Sequence, residues 1–502
     1  MTWGPCCPDN QDLMIRFRDH RVPEADRSQP LFPSAFRPSY RFRSIPMNQP
    51  SPSSSHDRGK SNRRGFLQTS GKVAAATALA GAVVPRVHAG EDNTIRLALI
   101  GAGGRGNGAV RDALDASEGP IKLHAAADVQ ANRLAGSLKA LQTRFGDKID
   151  VPPERQFVGF DGYKQAIDSL RPGDVAMLTG YVGWRPVQLE YAIEKGVHVF
   201  MEKSFGCDPP GVRRIIEAHE KADQKNLKIA AGLMCRHSPA RQQLIDRIRD
   251  GALGDIRLVR AYRMQPVGPM GQKPENESEL IWQFRNFTRF FWVSGGLFAE
   301  MTIHQIDEVC WLADAMPTMA HGIGGRAPIN DDPSQNLDSY HIEYTFGDGA
   351  KAIVDARYLS RCHNEFATYV HGTKAAAQFS GNIHAPTVRI YRDQRIEDAN
   401  IVWQPEPEPH NPYHAQWSVL LDAIRNDKPC NEAKRAGLSN MADIMGRAAV
   451  HSGNITQWDQ TYESDFQWCP NLDQMDYDTP PPVQADQHGR YPCPSPGYWT
   501  EL

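Results

Sequence analysis

The stretch Ile95-Arg-Leu-Ala-Leu-Ile-Gly-Ala-Gly-Gly-Arg-Gly106 decides how the rest of the chain is read. Ile95, Leu97, Leu99 and Ile100, with few polar interruptions, describe a buried strand rather than one with a solvated face. The strand runs into Gly101, Gly103, Gly104, Arg105 and Gly106, and residues 107–114 continue as a helix. Gly101 permits the tight turn, Gly103 lets the backbone approach a pyrophosphate, and Gly106 lets helix and strand pack closely. The unpaired amides at the helix start then face the phosphates. Taken alone, such a glycine pattern also fits a surface turn. Here a second apolar strand, 121–127, ends in Asp128, 22 positions after Gly106. A carboxylate at that strand tip accepts hydrogen bonds from ribose hydroxyls and repels a 2′-phosphate, so NAD is expected ahead of NADP.

Downstream, helix-length and strand-length segments alternate: helices 131–145 and 161–170, strand 174–179, helix 186–195, strand 197–201, helix 209–226 and strand 228–233. Pro186 opens one helix at its first turn and Gly196 stops it. This alternation indicates an α/β fold, a doubly wound parallel Rossmann sheet. Ligands on such sheets lie beyond the strand C-termini, which places Thr179, Glu202 and Lys203 near the cofactor. Strand-like alternation returns at 255–265, 319–325, 340–346, 351–358, 367–372 and 376–380, with Gly347-Asp348-Gly349 as a hairpin turn. Residues 405–409 form a stiff proline link, 417–425 and 438–451 read as helices, and proline and aspartate dominate from Cys469 onward.

The 502 residues exceed one ordinary core, and five segments are expected. These are a leader at 1–46, a signal segment at 47–89, the Rossmann domain at 93–235, an α/β domain at 236–460 and an irregular tail at 461–502. A net charge of −3 without a basic tract after the N-terminal region argues against nucleic acid. No apolar run reaches the roughly 20 residues of a membrane span. Nine cysteines without CxxC pairs or His-rich spacing argue against a metal; Cys469 and Cys493 either pair or remain thiols. Arg63-Arg64, the apolar run 73–84 and Val87-His88-Ala89 form a signal peptide resembling the twin-arginine type. Met47 is then the expected start and Ala89 the last residue removed. The twin-arginine export machinery would deliver a periplasmic or secreted protein with no membrane segment in its mature form. A dehydrogenase in that location needs a tightly held cofactor that is reset within the site.

Gly101–Gly106, Asp128-Val129, Gly196-Val-His-Val-Phe-Met-Glu-Lys203, Gly295-Gly296 and Glu300-Met-Thr-Ile-His-Gln-Ile-Asp307 together resemble the Gfo/Idh/MocA (glucose–fructose oxidoreductase/inositol dehydrogenase) family, over about 93–460. The resemblance implies a Rossmann domain followed by an α/β domain whose open, mainly antiparallel sheet carries substrate and subunit contacts, in dimers or tetramers. Lys203 matches the lysine of the family's Glu-Lys-Pro motif, where it would donate or accept protons; Ser204 stands in place of the proline. Glu300, His304 and Asp307, spaced i, i+4, i+7, share one helical face, with Ile306, Val309, Cys310 and Ala313 as the apolar stripe opposite. Inositol dehydrogenase-like members carry Asp and His at the positions of Glu300 and His304. There the carboxylate holds the substrate and orients the imidazole that handles the hydroxyl proton. Catalytic candidates are therefore Lys203, His304 and Glu300. Trp184 and Arg185 would border the nicotinamide. Trp282 and Arg285 suit a sugar site, since aromatic faces stack on sugar C–H surfaces and planar donors read hydroxyls. Arg236, Asp307 and Tyr413 are further substrate candidates.

The expected function is a secreted NAD(P)-dependent oxidoreductase that moves a hydride between nicotinamide and a sugar, polyol or sugar derivative. An alternative is a redox-neutral glycosidase, in which tightly bound NAD oxidises C3, the aglycone is eliminated and the hydride returns. A third reading is a nucleotide-binding protein without turnover, for which loss of Lys203 or His304 would be the expected sign.

Overall fold

A computed structural model describes residues 93–328, 331–381, 387–407 and 411–502. The leader 1–46, the signal segment 47–89 with its cleavage position, and the end of the 405–409 link lie outside the described residues.

The glycine-bearing stretch forms the centre of a six-stranded, wholly parallel sheet in the order β3-β2-β1-β4-β5-β6. Its strands are β1 (Ile95–Ile100), β2 (Ile121–Asp128), β3 (Gln156–Val158), β4 (Val175–Leu178), β5 (His198–Met201) and β6 (Ile229–Ala231). Every residue of β4, β5 and β6 is buried, as expected of strands covered on both faces. One face packs on Val110, Leu114, Leu134 and Leu138 of the first two helices. The other packs on Leu189, Ile193, Ile215 and Ala218. Gly196 ends the Arg185–Lys195 helix in the left-handed region, as its place in the sequence indicates. The three-residue strand β3 has no sequence counterpart in the reading above, being too short to show a period.

The second sheet has nine strands in the order β14-β13-β12-β11-β7-β10-β9-β8-β15. They are β7 (Ile256–Met264), β8 (Met319–Gly325), β9 (Ser339–Thr345), β10 (Lys351–Arg357), β11 (Glu365–Gly372), β12 (Ala376–Ser380), β13 (Arg389–Tyr391), β14 (Ile401–Trp403) and β15 (Thr456–Gln457). Only β7 and β10 run parallel; the other pairings are antiparallel. Alternate residues of β9 and β10, Tyr340, Ile342 and Tyr344 with Ala352, Val354 and Ala356, are buried against the Gly296–Ala313 and Ala433–Ser452 helices.

The chain-order division at 236–460 does not follow the packing. The Pro412–Arg425 helix returns to the Rossmann sheet, burying Trp417, Leu420, Leu421 and Ile424 there, with Trp417 stacked 4.3 Å from Phe200. Its i, i+3, i+4, i+7 stripe needs an apolar surface, and that face of the first sheet supplies one. The tail from 464 to 502 is irregular but anchored. Tyr491 meets Phe290 edge-on at 4.7 Å, and Glu501 is buried against Arg447 Nε (2.7 Å) and His451 Nδ1 (2.9 Å). Among the described residues no helix is long and apolar enough to cross a membrane.

Candidate active site

The glycine turn has the geometry its spacing suggests. Gly101 has φ +94°, and a Cβ there would collide with the Gly180 backbone. A Cβ on Gly106 would strike the Gly101 carbonyl and lie 2.9 Å from Thr179 Oγ1, so helix and strand touch there. Thr179 Oγ1 donates to the Gly101 carbonyl at 2.7 Å and fixes the turn. By contrast, a Cβ on Gly103 or Gly104 would meet nothing within 4 Å. The Gly104–Ala116 helix also has no side-chain cap, so its first amides face this space. Asp128 Oδ2 accepts from the Ala102 amide (2.7 Å) and Oδ1 from the Gln130 amide (2.8 Å). Burial pushes its carboxyl up from the ordinary value against the pull of those amides. Each oxygen retains a lone pair for a ribose hydroxyl. Open backbone space at a helix N-terminus beside a strand-tip carboxylate fits a dinucleotide.

These residues line a cleft of about 630 Å³ that includes Gly101, Gly103, Gly104, Arg105, Asp128, Thr179 and Trp184, within the range of small-molecule sites. Its far wall is aromatic: Phe160, Tyr163, Tyr181, Phe284 and Phe287. Tyr181 stacks on Phe284 at 4.6 Å and donates its hydroxyl to the Phe284 carbonyl at 3.0 Å; burial pushes its pKa up to about 12. Arg105 leaves the first turn of its helix to pair with Glu202 (2.7 Å) and Asp112 (2.7 Å), and its guanidinium lies 4.8 Å from the Tyr413 ring. Burial opposes the Arg105 charge, but the two carboxylates outweigh it and raise its pKa above the usual value. Arg105, Glu202 and Tyr413, from three distant segments, thus form one cluster.

Lys203 lies just beyond β5, and its Nζ donates to the Glu300 carboxylate (2.8 Å) and carbonyl (2.6 Å). His304, buried and one turn along the same helix, shares the face of Glu300. The lysine after β5 is therefore tied, through Glu300, to the helix that also carries His304. Ser204 adds a side-chain bond that a proline lacks. Its hydroxyl donates to the Ala299 carbonyl at 3.0 Å, and its own carbonyl accepts from the Arg185 guanidinium. Asn440 Oδ1 accepts from the next two amides, Phe205 (2.7 Å) and Gly206 (2.9 Å).

Several expected contacts lie elsewhere. The helix bearing Glu300 is not amphipathic: 16 of its 18 residues are buried, because the Ala433–Ser452 helix and the second sheet close around it. Asp307 binds Arg236 through both oxygens (2.9 Å each) and Ser439 Oγ (2.7 Å), away from the cleft wall. Burial would raise its carboxyl, but Arg236 and Arg435 hold it below the usual range. Buried Asp307 and half-buried Arg236 thus pair with each other, and neither is among the residues that line the cleft. Arg185 is fully buried and bridges the Gly180 and Ser204 carbonyls. Trp282 packs into an aromatic cluster with Phe284 and Trp292. Arg285 pairs with Glu277 at 2.6 Å on the surface. Cys469 and Cys493 are both free thiols; their Sγ atoms lie 3.8 Å from Met475 Sδ and the Asn336 carbonyl. Among the described residues no three or more His, Cys, Asp or Glu side chains gather as a metal site.

Residues 241–378 match the model of the GFO/IDH/MocA C-terminal domain. The chain is 24% identical over 287 residues to the rhizopine catabolism protein MocA of Rhizobium meliloti, covering 56% of this chain and 77% of that one. It is 26% identical over 223 residues to an inositol 2-dehydrogenase of Klebsiella pneumoniae, covering 44% of this chain and 54% of that protein's length. Among solved structures, scyllo-inositol dehydrogenase from Lactobacillus casei, with NAD(H) and scyllo-inositol bound, aligns with a TM-score of 0.54 at 22% identity, covering 73% of this chain and 99% of that one. The chain thus carries, behind a parallel Rossmann sheet, a segment at 241–378 that matches the GFO/IDH/MocA C-terminal domain.

Proposed function

We propose that the protein is an NAD-dependent oxidoreductase acting on a CH–OH group of a sugar, polyol or sugar derivative. The observation that carries this reading is the Lys203–Glu300 bond, which joins the end of β5 to the Gly296–Ala313 helix, with Glu202 next to Lys203 paired to Arg105 of the cleft and His304 one turn on. The inositol dehydrogenases among its relatives support the cofactor and the class of reaction. When bound, NAD supplies the hydride acceptor.

The chain's own residues do the rest. The amides after Gly103 hold the pyrophosphate, and Asp128 takes the ribose hydroxyls. Glu300 fixes the Lys203 ammonium so that it donates a hydrogen bond to the reacting oxygen. His304 accepts the proton leaving that hydroxyl; such a positioned base contributes about 10²–10⁴-fold. The carboxylate of Asp128 disfavours NADP.

The test is a panel of inositols and aldoses with NAD or NADP, followed by the absorbance of the reduced nicotinamide. NAD-dependent growth is expected, and no hydride transfer with any member would overturn the reading. Export through the twin-arginine route is part of the proposal and rests on Arg63-Arg64, the run 73–84 and Val87-His88-Ala89. N-terminal sequencing of exported protein should begin at residue 90; an intact residue 1 contradicts it.

A further inference from the structure

β7 alternates regularly, and its inward positions carry Val259, Ala261 and then Arg263. The first two are apolar and almost fully buried; the third is a permanently charged guanidinium with only 8% of its surface exposed. Buried charges are normally paired; of the other buried and half-buried arginines here, Arg241 approaches Glu308 at 3.9 Å and four more hold a carboxylate directly. Arg236 has Asp307, Arg289 has Asp332, Arg435 has Glu432 and Arg447 has Glu501. Arg185 has two carbonyls instead.

Arg263 has no carboxylate within 4 Å among the described residues. Its Nη2 meets only Met301 Sδ at 3.5 Å, its guanidinium lies 3.8 Å from the Phe366 ring centroid, and Nε and Nη1 have no hydrogen-bond partner. The titratable groups facing it are Tyr358, Tyr413, Cys235 and Glu308. Burial raises the first three further above their ordinary values, so they stay uncharged at pH 7. The Glu308 carboxylate is taken by the Thr368 (2.5 Å) and Ser380 (3.0 Å) hydroxyls and approaches Arg241 at 3.9 Å. Burial alone pulls the Arg263 pKa down, as expected for an uncompensated cation.

The position of this cation is informative. Met301 follows Glu300, which holds Lys203, and precedes His304 by three residues, so the guanidinium lies against the segment that carries the proposed chemistry. Gln265, beyond the end of the same strand, directs its amide at the same sulfur at 3.9 Å. Tyr413, one of the groups facing it, lies against Arg105, which lines the nucleotide cleft.

We propose that Arg263 is a specificity-determining residue that receives a carboxylate of the substrate, so that the substrate class is an acidic sugar such as a uronic or aldonic acid. The proposal rests on the oxidoreductase reading for the reaction but not for the binding. A planar fork matches a carboxylate at two points. A single cation with no second arginine or lysine paired to it among the described residues suits a monoanion better than a phosphate dianion.

The test is calorimetric titration of NAD-loaded protein with D-glucuronate, D-galacturonate and D-gluconate, against D-glucose, D-galactose and glucose 6-phosphate. At least one acid should bind about tenfold or more tightly than its neutral counterpart. Arg263→Gln should bring that ratio near one while NAD affinity is unchanged, and Arg263→Lys should give an intermediate ratio. The melting temperature of cofactor-free Arg263→Gln should equal or exceed that of the wild type, since an unpaired buried charge is removed. Equal binding of acids and neutral sugars, a preference that survives Arg263→Gln, tighter binding of glucose 6-phosphate through Arg263, or a large fall in melting temperature each overturns the proposal. Hydride transfer from neutral sugars without acid preference would sink this inference alone. Acid binding through Arg263 without any hydride transfer would sink the oxidoreductase reading and leave this one standing.

Discussion

Replacing Glu300 by glutamine should separate catalysis from cofactor binding. The ion pair it breaks is largely shielded, with 19% of the Lys203 side chain and 8% of the Glu300 side chain exposed. Removing one partner of a fully buried pair costs about 3–5 kcal/mol. Here glutamine keeps an acceptor oxygen, and the 2.6 Å bond from Lys203 to the Glu300 carbonyl survives. The expected loss is therefore about 1–2 kcal/mol, or a few degrees in Tm. The ammonium, no longer held by a charge, samples other positions, and kcat should fall about 10–100-fold, or about 1.4–2.7 kcal/mol in the barrier. The nucleotide cleft is built from other residues, so the Kd for NAD should not change. Glu300→Asp is a second probe: withdrawing the carboxylate by about 1.5 Å breaks the same bond and should give a similar loss. Single-turnover absorbance and titration with NAD read the two quantities. Wild-type kcat in Glu300→Gln, or a loss of NAD affinity in step with kcat, would refute the reasoning.

Gly103→Ala places a methyl where nothing lies within 4 Å, so Tm should hold while NAD binding weakens about tenfold, or 1.4 kcal/mol; a lowered Tm with unchanged affinity would contradict the role of that space. The tail gives a pH prediction. Burial opposes the Glu501 charge, but Arg447 and His451 hold its pKa down to about 2, below the ordinary 4.5. Its folded pKa is depressed, so its contribution, about 3 kcal/mol, is present above pH 4.5 and lost as pH falls toward 2. Glu501→Gln should lower Tm at neutral pH and flatten its acid dependence in that window; an unchanged acid slope would show that other carboxylates carry it.

The first domain was largely legible because its signals are local. An apolar run, three spaced glycines and Asp128 at the next strand tip each act within a few residues of their own position. The site was legible only in parts. Spacing puts Glu300, His304 and Asp307 on one helical face but does not say what meets each. Glu300 meets Lys203 from 97 positions away, whereas Asp307 meets Arg236 and Ser439 and becomes structural. An apolar stripe at Ile306, Val309, Cys310 and Ala313 marks one face for burial, yet the helix at 433–452 and the second sheet bury the polar face as well. Phe160 and Tyr181 come from loops and Phe284 and Phe287 from two helical segments of seven and three residues, so no sequence pattern marks the aromatic wall. Arg263 shows the converse. Alternation in 255–265 marks a strand, but only the closed fold reveals an unpaired charge on its buried face.

The most direct test is the rate of nicotinamide reduction in Lys203→Met saturated with NAD and a substrate of the wild type. NAD should bind Lys203→Met as it binds the wild type, while reduction slows by about 10²–10⁴-fold. Reduction at the wild-type rate would contradict the claim that the amine held by Glu300 faces the reacting oxygen.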